Sequence, residues 1–232
     1  MSEARLNICR TRDIPFPTYY VKAIQTEFAA FAYDEERAQE YKGDWRGKSF
    51  GVGADVPLDL EIGTGNGYFF AHRAAAEPSR CLLGLEIKFK PLIQSIRRAL
   101  NAGCKNARIA RFHAALLDVI IADGELNHVF VHHPDPWSKR NKQKRRLMNR
   151  DFLLCLLRKQ RAGSFLDFKT DSHDYFIWAC EEIKKTPYVI ERFSEDLHNS
   201  EWFAENFVTQ FERIFITKGQ PIYYLRARVP GN

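Results

Sequence analysis

From Val56 onward the sequence alternates short apolar runs with longer stretches of helical periodicity, and this alternation limits the fold more than any other feature. The runs predict β-strands at 56–62, 81–87, 107–112, 126–133 and 163–169, and the stretches between and after them predict helices at 68–76, 91–102, 114–122, 145–161 and 172–185. Strands that alternate with helices are typical of β-α-β units around a mostly parallel sheet. The sequence therefore predicts a doubly wound α/β fold.

The two ends of the chain differ from this repeating middle. Residues 1–49 are charge-balanced and interrupted by prolines and glycines, which predicts a partly flexible N-terminal arm with one short helix near 21–33. Towards the C-terminus, strands are predicted at 187–193, 213–217 and 222–229, the last two forming an antiparallel hairpin across Lys218-Gly219-Gln220-Pro221. We therefore expect an arm (1–49) followed by a single domain (50–232).

Cysteine spacing and hydropathy indicate the cellular compartment of the protein. The five cysteines are odd in number and include no C-x-x-C pair, which predicts neither a disulfide framework nor a zinc cluster. No apolar run approaches the roughly 18 residues that a membrane-spanning helix needs, and the N-terminus has no signal-peptide core. The expectation is a soluble cytoplasmic protein with no membrane partner.

Positive charge is concentrated in one segment. The stretch from Lys139 to Arg150 holds seven basic residues and no acidic one, and it accounts for the whole net charge of +6. A localised patch of this kind is typical of proteins that bind a polyphosphate, because neutralised phosphates release their counterions. A solvated helix face is the alternative interpretation of a charge run.

The first predicted strand ends in Glu61-Ile62-Gly63-Thr64-Gly65-Asn66-Gly67, and a predicted helix follows. Open α/β sheets bind nucleotide-like ligands at such a turn. The third glycine comes one residue too early for a dinucleotide fingerprint, and the carboxylate of Glu61 would repel a pyrophosphate. S-adenosylmethionine has no phosphate and carries two cationic groups. The sequence therefore favours this cofactor at Glu61, Gly63 and Gly65.

Two later positions fall where the rest of such a ligand would lie. Glu86 ends the second predicted strand, 23 residues after Gly63, close to the offset at which an acidic side chain binds ribose hydroxyls. A solvent-facing strand end is the alternative for Glu86. His113 follows the third predicted strand, and the sequence leaves open whether it meets the adenine edge or caps the next helix.

The fourth predicted strand leads into Pro134-Asp135-Pro136-Trp137. Two prolines fix the backbone on both sides of Asp135 and remove two amide donors, which favours rigid presentation of the carboxylate. A packed turn in which Asp135 binds local backbone is the alternative. No metal site is predicted from His132, His133 and Asp135, because adjacent residues on a strand point to opposite faces.

Four motifs in this order make the chain similar to a known family, the tRNA (guanine-N7-)-methyltransferases of the bacterial TrmB type. They are LEIGTGNG (60–67), PDPWSKRNKQKRR (134–146), Lys169-Thr170-Asp171, and Thr209-Gln210-Phe211-Glu212 with Gly219-Gln220-Pro221-Ile222. The resemblance extends from about Leu58 to the C-terminus. It implies a Rossmann-like class I methyltransferase fold and the S-adenosylmethionine-dependent methylation of N7 of a guanine in the tRNA variable loop, position 46 in conventional tRNA numbering.

The resemblance also implies roles for individual residues. Cofactor-binding positions are Glu61, Glu86 and His113, and Asp135 combines cofactor contact with catalysis. Substrate-binding positions are Lys139, Asp171, Thr209, Gln210, Phe211 and Glu212. RNA-contacting positions are Asn141, Lys142, Gln143, Lys144, Arg145 and Arg146. Trp137 either stacks on an exposed base or anchors the loop.

The chain departs from the family at three points. His113 stands in place of Asp or Asn, His132-His133 replace an apolar or aromatic pair, and Ile214 replaces a basic residue. The alternatives to the implied function are a class I methyltransferase with another substrate and a catalytically inactive tRNA-binding subunit. The expected partner is tRNA, bound by a monomer or homodimer that needs no obligate protein partner.

Overall fold

The computed structural model describes residues 18–231, and the chain divides after Leu126 into two compact units. Residues 1–17, the first part of the predicted arm, lie outside the described residues. The division into an arm and a domain at residue 49 stays a prediction. Among the helices of residues 18–231, none is long and apolar enough to cross a membrane.

The described residues of the first unit, 18–126, form four parallel strands and three α-helices. Its elements are α1 (Thr18–Gln25), β1 (Ala32–Tyr33), β2 (Leu58–Ile62), α2 (Tyr68–Ala76), β3 (Cys81–Leu85), α3 (Phe89–Asn101) and β4 (Ala107–Ala110), with 3-10 helices at Arg37–Tyr41 and Ala114–Val119 and a π-helix at Trp45–Phe50. The strand order is β1-β4-β3-β2. Strands β2, β3 and β4 are buried along their whole length, which explains their mostly apolar sequences.

The core of this unit lies between the helices and the strands. Phe70 of α2 and Ile96 of α3 pack in one buried cluster with Leu82 of β3 and Ile109 of β4. Helix α1 adds Ile24 to the same cluster. Burial of these side chains supplies the main hydrophobic stabilisation of the unit.

The described part of the segment before residue 49 is also packed into the first unit. Trp45 is fully buried, and its indole Nε1 donates a hydrogen bond to Ile120 O at 2.8 Å. The carboxylate of Glu125 accepts hydrogen bonds from the amides of Gly43, Trp45 and Ala122. These bonds tie residues 43–45 to the end of the unit.

The described residues of the second unit, 127–231, form four strands and three α-helices. Its elements are β5 (Val129–His132), α4 (Arg150–Lys159), β6 (Phe165–Thr170), α5 (His173–Lys184), β7 (Val189–Ser194), α6 (Gln210–Thr217) and β8 (Tyr223–Arg228), with 3-10 helices at Arg140–Arg145, Leu197–Asn199 and Glu201–Glu205. The strand order is β5-β6-β8-β7. β5 and β6 are parallel, and β8 is antiparallel to both β6 and β7.

The predicted α/β fold with mostly parallel strands and an antiparallel C-terminal pair is confirmed, but one predicted strand is wrong. Residues 213–217 belong to helix α6, and the antiparallel neighbours of β8 are β6 and β7. The reason is a helix cap, in which Thr209 Oγ1 accepts a hydrogen bond from Glu212 N at 3.1 Å. Thr-x-x-Glu is the sequence signature of such a cap, so the predicted substrate motif also begins a helix.

A second difference concerns the helix predicted at 145–161. It begins only at Arg150, because Asn149 Oδ1 caps it by accepting a hydrogen bond from Phe152 N at 3.0 Å. The basic residues before it form the separate 3-10 helix Arg140–Arg145, which has no buried residue. The cap therefore separates the charge run from the packed helix.

Candidate functional site

Three loops of the first unit meet at the carboxyl ends of its parallel strands. In the register of the strands, Ile62 lies opposite Leu85, and Leu85 lies opposite Ala110. The amides of Gly63 and Thr64 both donate to Leu85 O, at 2.8 and 3.2 Å. The predicted cofactor positions at this edge are Glu61, Gly63, Gly65, Glu86 and His113. The structure therefore brings all five to the same edge of the strands.

The loop between β2 and α2 is shaped by glycines in the left-handed region of φ. Gly63 and Gly65 have φ values of 79° and 54°, and a Cβ added at either would meet no atom within 4 Å beyond its chain neighbours. The loop face is therefore open at these two positions. At Gly67, with φ of 78°, an added Cβ would lie 2.3 Å from Ser95 Cα. Gly67 therefore lets the loop pack against α3.

Glu86 holds the glycine loop from the end of the neighbouring strand. Its Oε2 accepts a hydrogen bond from Gly65 N at 3.0 Å, and its Oε1 accepts one from Lys88 N at 2.9 Å. Burial raises the pKa of the Glu86 carboxyl, while these backbone hydrogen bonds act in the opposite direction. Each carboxylate oxygen has a second lone pair. Glu86 can therefore support the loop and still accept a bond from a ligand hydroxyl.

The charge at this edge suits S-adenosylmethionine. Glu61 and Glu86 are both buried carboxyl residues at the ends of their strands. Two carboxylates beside an open glycine loop attract a ligand that carries a sulfonium and an ammonium, and they disfavour a pyrophosphate. The residues present therefore fit this cofactor.

His113 caps the 3-10 helix Ala114–Val119. Its Nδ1 accepts a hydrogen bond from Ala115 N at 3.2 Å. Burial lowers the pKa of the His113 ring. A neutral ring that accepts at Nδ1 carries its proton on Nε2, and this assignment leaves one donor for a ligand. The capping interpretation is confirmed, and contact with adenine stays a prediction compatible with it.

In the second unit, the loop after β5 presents Asp135 to solvent. His133 and Trp137, which flank the Pro-Asp-Pro segment, have left-handed φ values of 49° and 45°, an uncommon conformation for residues other than glycine. Arg146 holds the loop by donating from Nε to Pro136 O at 2.9 Å. The loop is therefore constrained beside an exposed carboxylate, as its two prolines indicate.

The basic run contains exposed residues and one buried residue. Exposed positions are Lys139, Arg140, Asn141, Lys144 and Arg145, and partly exposed positions are Lys142 and Gln143. Arg146 is only 1% exposed, and its guanidinium pairs with Asp174 and lies 5.0 and 5.2 Å from the rings of Tyr175 and Trp178. Arg146 therefore differs from the other predicted RNA contacts, because it holds the loop and its guanidinium is not open to a phosphate.

Trp137 lies beneath two of the basic side chains. The Arg145 guanidinium is 5.2 Å and Lys142 Nζ is 5.9 Å from the centroid of its ring system. Cation–π contacts of this kind favour an ordered arrangement of the cations. The structure thus gives Trp137 an anchoring contact, and base stacking on its ring stays a prediction.

Glu212 is the centre of a buried polar cluster beside β6. Its carboxylate is 0% exposed, and it accepts hydrogen bonds from Lys169 Nζ at 2.6 Å and from Asn206 Nδ2 at 3.0 Å. Thr209, the cap of α6, contacts the same carboxylate through Oγ1 at 3.4 Å. Burial would raise the pKa of Glu212, but His133 and Lys169 hold it well below the usual range. In this arrangement Glu212 organises the motif from inside and is not open to a base.

Other members of the predicted substrate motif do reach the surface. Phe211 is 47% exposed on α6, and Asp171 is partly exposed after β6. His133 Nδ1 lies 3.4 Å from Asp171 Oδ1, and this contact lowers the pKa of Asp171. The side chain of Gln210 lies outside the described part of the structure. An exposed ring and a carboxylate are groups that can bind a base.

Sequence reasoning missed the residues that hold these groups in place. Lys169 stands within the Lys-Thr-Asp motif but received no role, although a lysine inside the apolar strand GSFLDFK indicates a buried anionic partner. Asn206 and Ser95 left no comparable signal. Ser95 Oγ bonds to Gly65 O at 2.9 Å and supports the glycine loop from α3.

The fold and the open glycine loop define the class of protein. The crystal structure of a SAM-dependent methyltransferase from Aquifex aeolicus matches with a TM-score of 0.53 and 10% identity, over 84% of this chain and 97% of that one. At that identity the likeness shows the fold alone. A family model described as a putative methyltransferase matches residues 55–225. The chain is a class I S-adenosylmethionine-dependent methyltransferase.

Curated relatives narrow this class. A tRNA (guanine-N(7)-)-methyltransferase of Bdellovibrio bacteriovorus is 51% identical over 204 residues, which cover 88% of this chain and 98% of the relative. One from Listeria monocytogenes serotype 4b is 31% identical over 94% of this chain and 93% of its own length. The chain belongs to the tRNA (guanine-N7-)-methyltransferase family. The resemblance carried by the four motifs is thus confirmed.

Proposed function

We propose that the protein transfers the methyl group of S-adenosylmethionine to N7 of a guanine in the tRNA variable loop, position 46. The observation that carries the proposal is the 51% identity to the Bdellovibrio bacteriovorus enzyme over 98% of its length. The exposed basic 3-10 helix at Arg140–Arg145 favours an RNA substrate over a small molecule. The protein is proposed to act in the cytoplasm as a monomer or homodimer.

The reaction depends mainly on the positioning of the cofactor methyl group and guanine N7. The cofactor supplies a methyl group on a sulfonium, and guanine N7 already has a lone pair in the plane of its ring. No base is therefore needed to remove a proton from the nucleophile. Glu61, the open loop at Gly63 and Gly65, and Glu86 are proposed to hold the cofactor through its cationic groups and ribose hydroxyls. His113 Nε2 is proposed to donate to the adenine edge.

Asp135 and Asp171 are proposed to fix the guanine. Carboxylates accept hydrogen bonds, and guanine offers donors at N1 and N2. The methylated base is a cation, and nearby carboxylates also stabilise the charge that develops. Phe211 offers an exposed ring face to a base, while Thr209 and Glu212 hold the helix that carries it.

The basic run is proposed to bind the tRNA backbone. Lys139, Lys142, Lys144 and Arg145 supply cations for phosphates, and Asn141 and Gln143 supply neutral hydrogen-bonding groups on the same 3-10 helix or beside it. Phosphate contacts position a nucleic acid without reading its sequence. The choice of guanine therefore rests on the aspartates and on the motif around Phe211.

Incubation with labelled S-adenosylmethionine and unfractionated tRNA, followed by mapping of the modified base, tests the proposal. Methylation of N7 in a variable-loop guanine is the expected result. Methyl transfer to another acceptor would favour a class I enzyme with a different substrate. Tight tRNA binding without methyl transfer would favour an inactive tRNA-binding subunit.

The role of Asp135 is tested by Asp135→Ala and the isosteric Asp135→Asn. Both should lower kcat/KM for tRNA by about 100- to 1000-fold, the usual cost of losing a group that stabilises developing charge. Because Asp135 is exposed, the melting temperature should stay unchanged. Asp55→Ala, at another exposed aspartate, is the control and should retain full activity. Near-normal activity in Asp135→Ala would overturn the assignment.

A further inference from the structure

His133 lies between β5 and the Pro-Asp-Pro loop, and its ring is packed within the substrate motif. The side chain is 8% exposed. The ring is nearly parallel to that of Phe215, at 7° and 6.3 Å, and its centroid is 5.0 Å from that of Phe211. The amide of His133 donates to Lys169 O at 2.8 Å. Contacts with α6 and β6 therefore fix both the ring and the backbone.

The two ring nitrogens of His133 face two carboxylates. Nδ1 lies 3.4 Å from Asp171 Oδ1, and Nε2 lies 3.7 Å from Glu212 Oε1. Nε2 is buried and makes no hydrogen bond with any described residue, which leaves it directed at Glu212 across a gap slightly longer than a hydrogen bond. Lys169 Nζ and His198 Nε2 lie 2.6 and 3.5 Å from that carboxylate, and the ring of His132 interacts with it electrostatically.

We propose that His133 is a positioning residue that links the Asp135 loop to Asp171 and Glu212 and thereby sets the guanine-binding face. Residue 133 directly precedes the loop, and its ring spans the space between the two carboxylates. An aromatic residue without ring nitrogens at this position would keep the packing but lose both polar contacts. The inference rests on the proposed function for the role of Asp171 in binding guanine.

Two substitutions separate the ring from its nitrogens. His133→Phe keeps the aromatic packing against Phe211 and Phe215 but removes both nitrogens. His133→Asn keeps a donor at the level of Nδ1, and asparagine tolerates the left-handed φ of 49°. If one of these variants does not fold, the other still tests whether the ring nitrogens connect the loop to the two carboxylates.

We expect His133→Phe to lower kcat/KM for tRNA about 10- to 100-fold, mainly through KM, since hydrogen bonds to charged groups contribute that much. His133→Asn should recover to within about fivefold of the wild type, because it keeps the donor towards Asp171. The dissociation constant for S-adenosylmethionine should stay unchanged in both. The dissociation constant for tRNA should rise in His133→Phe. It is measured without cofactor, so this test does not depend on catalytic turnover.

His173→Phe makes the same chemical change at an exposed histidine on α5 and should behave as the wild type. Wild-type KM and tRNA affinity in His133→Phe would overturn the inference. Equal losses in His133→Phe and His133→Asn would also overturn it, because the donor towards Asp171 that asparagine keeps would then recover no activity. A wild-type protein that methylates no guanine would instead overturn the proposed function, and the tRNA affinities of the variants would still test His133.

Discussion

The ion pair between Lys169 and Glu212 lies inside the second unit, and Glu212→Gln tests whether it holds the substrate motif together. Nζ and Oε1 are 2.6 Å apart, and the two side chains are 3% and 0% exposed. Glutamine keeps the size of the side chain and one carbonyl acceptor for Lys169. It removes the negative charge, and the lysine ammonium loses its anionic partner in a place that water does not reach.

The expected cost follows from this burial. Removing one partner of a buried ion pair destabilises a protein by about 3–5 kcal/mol, because the other charge stays buried. Since glutamine still accepts a hydrogen bond, we expect the lower end, about 3 kcal/mol, which for a chain of this length lowers the melting temperature by about 6–12 °C. Replacing both partners, as in Lys169→Met with Glu212→Leu, should recover most of the loss because both charges of the pair are removed together.

The pair also gives the stability a pH dependence of defined sign. Burial would raise the pKa of Glu212, but His133 and Lys169 hold it well below the usual range. A group with a lowered folded-state pKa stabilises the fold fully above its unfolded pKa, about 4.3 for glutamate, and loses this effect as the pH falls through the folded value. The difference between wild type and Glu212→Gln should therefore be complete at neutral pH and shrink below about pH 4.3.

Urea unfolding, followed by circular dichroism and tryptophan fluorescence, measures the free energy of unfolding at each pH. Glu181→Gln is the matched control, because Glu181 pairs with Lys184 at 2.7 Å on the exposed face of α5. An exposed pair contributes little, and this variant should keep the wild-type midpoint. A wild-type midpoint for Glu212→Gln at neutral pH would refute the argument that the buried ammonium needs its carboxylate.

Two further predictions concern the basic run and the glycine loop. Neutralising Lys142, Lys144 and Arg145 together should weaken tRNA binding and reduce the slope of log affinity against log salt by about 2. Cofactor affinity should stay unchanged, and an equal loss of it would indicate that these residues have a structural role instead. Gly67→Ala should destabilise the protein more than Gly103→Ala. The two glycines have nearly equal φ values of 78° and 77°, so the backbone strain of the substitution is similar at both. At Gly67, however, the added methyl would lie 2.3 Å from the backbone of α3, whereas at Gly103 it would meet no atom within 4 Å. Equal melting temperatures for these two variants would contradict the close approach.

Most of the fold was predictable because its elements follow local periodicity. Helix α2 occupies the predicted range 68–76, and the buried strands β2, β3 and β4 lie within their predicted ranges. The two-residue strand β1 was missed, since so short a segment leaves no pattern. Residues 213–217 of helix α6 were predicted as a strand because their apolar side chains suit either structure, and the cap at Thr209 decides for the helix.

The cofactor side of the candidate site was more predictable than the substrate side. The carboxyl ends of parallel strands meet at one edge of the sheet. Because Glu61, Glu86 and His113 each lie at the end of a predicted strand, the sequence predicts that they are close together. The substrate-binding residues were predicted only through the family resemblance. Asp171 and Glu212 belong to different elements, and the periodicity of the sequence does not predict which elements contact each other.

The fold class, the glycine loop, the aspartate between prolines and the charge of the basic run can all be read from the chain, because they depend on residue types and on neighbours in sequence. The folded structure was needed to show that Glu212 is a buried centre and that His133 faces two carboxylates. It was also needed to show that Arg146 folds back onto the loop while Arg145 stays exposed. The physical reason is that burial and ion pairing depend on contacts such as Lys169 with Glu212, 43 residues apart.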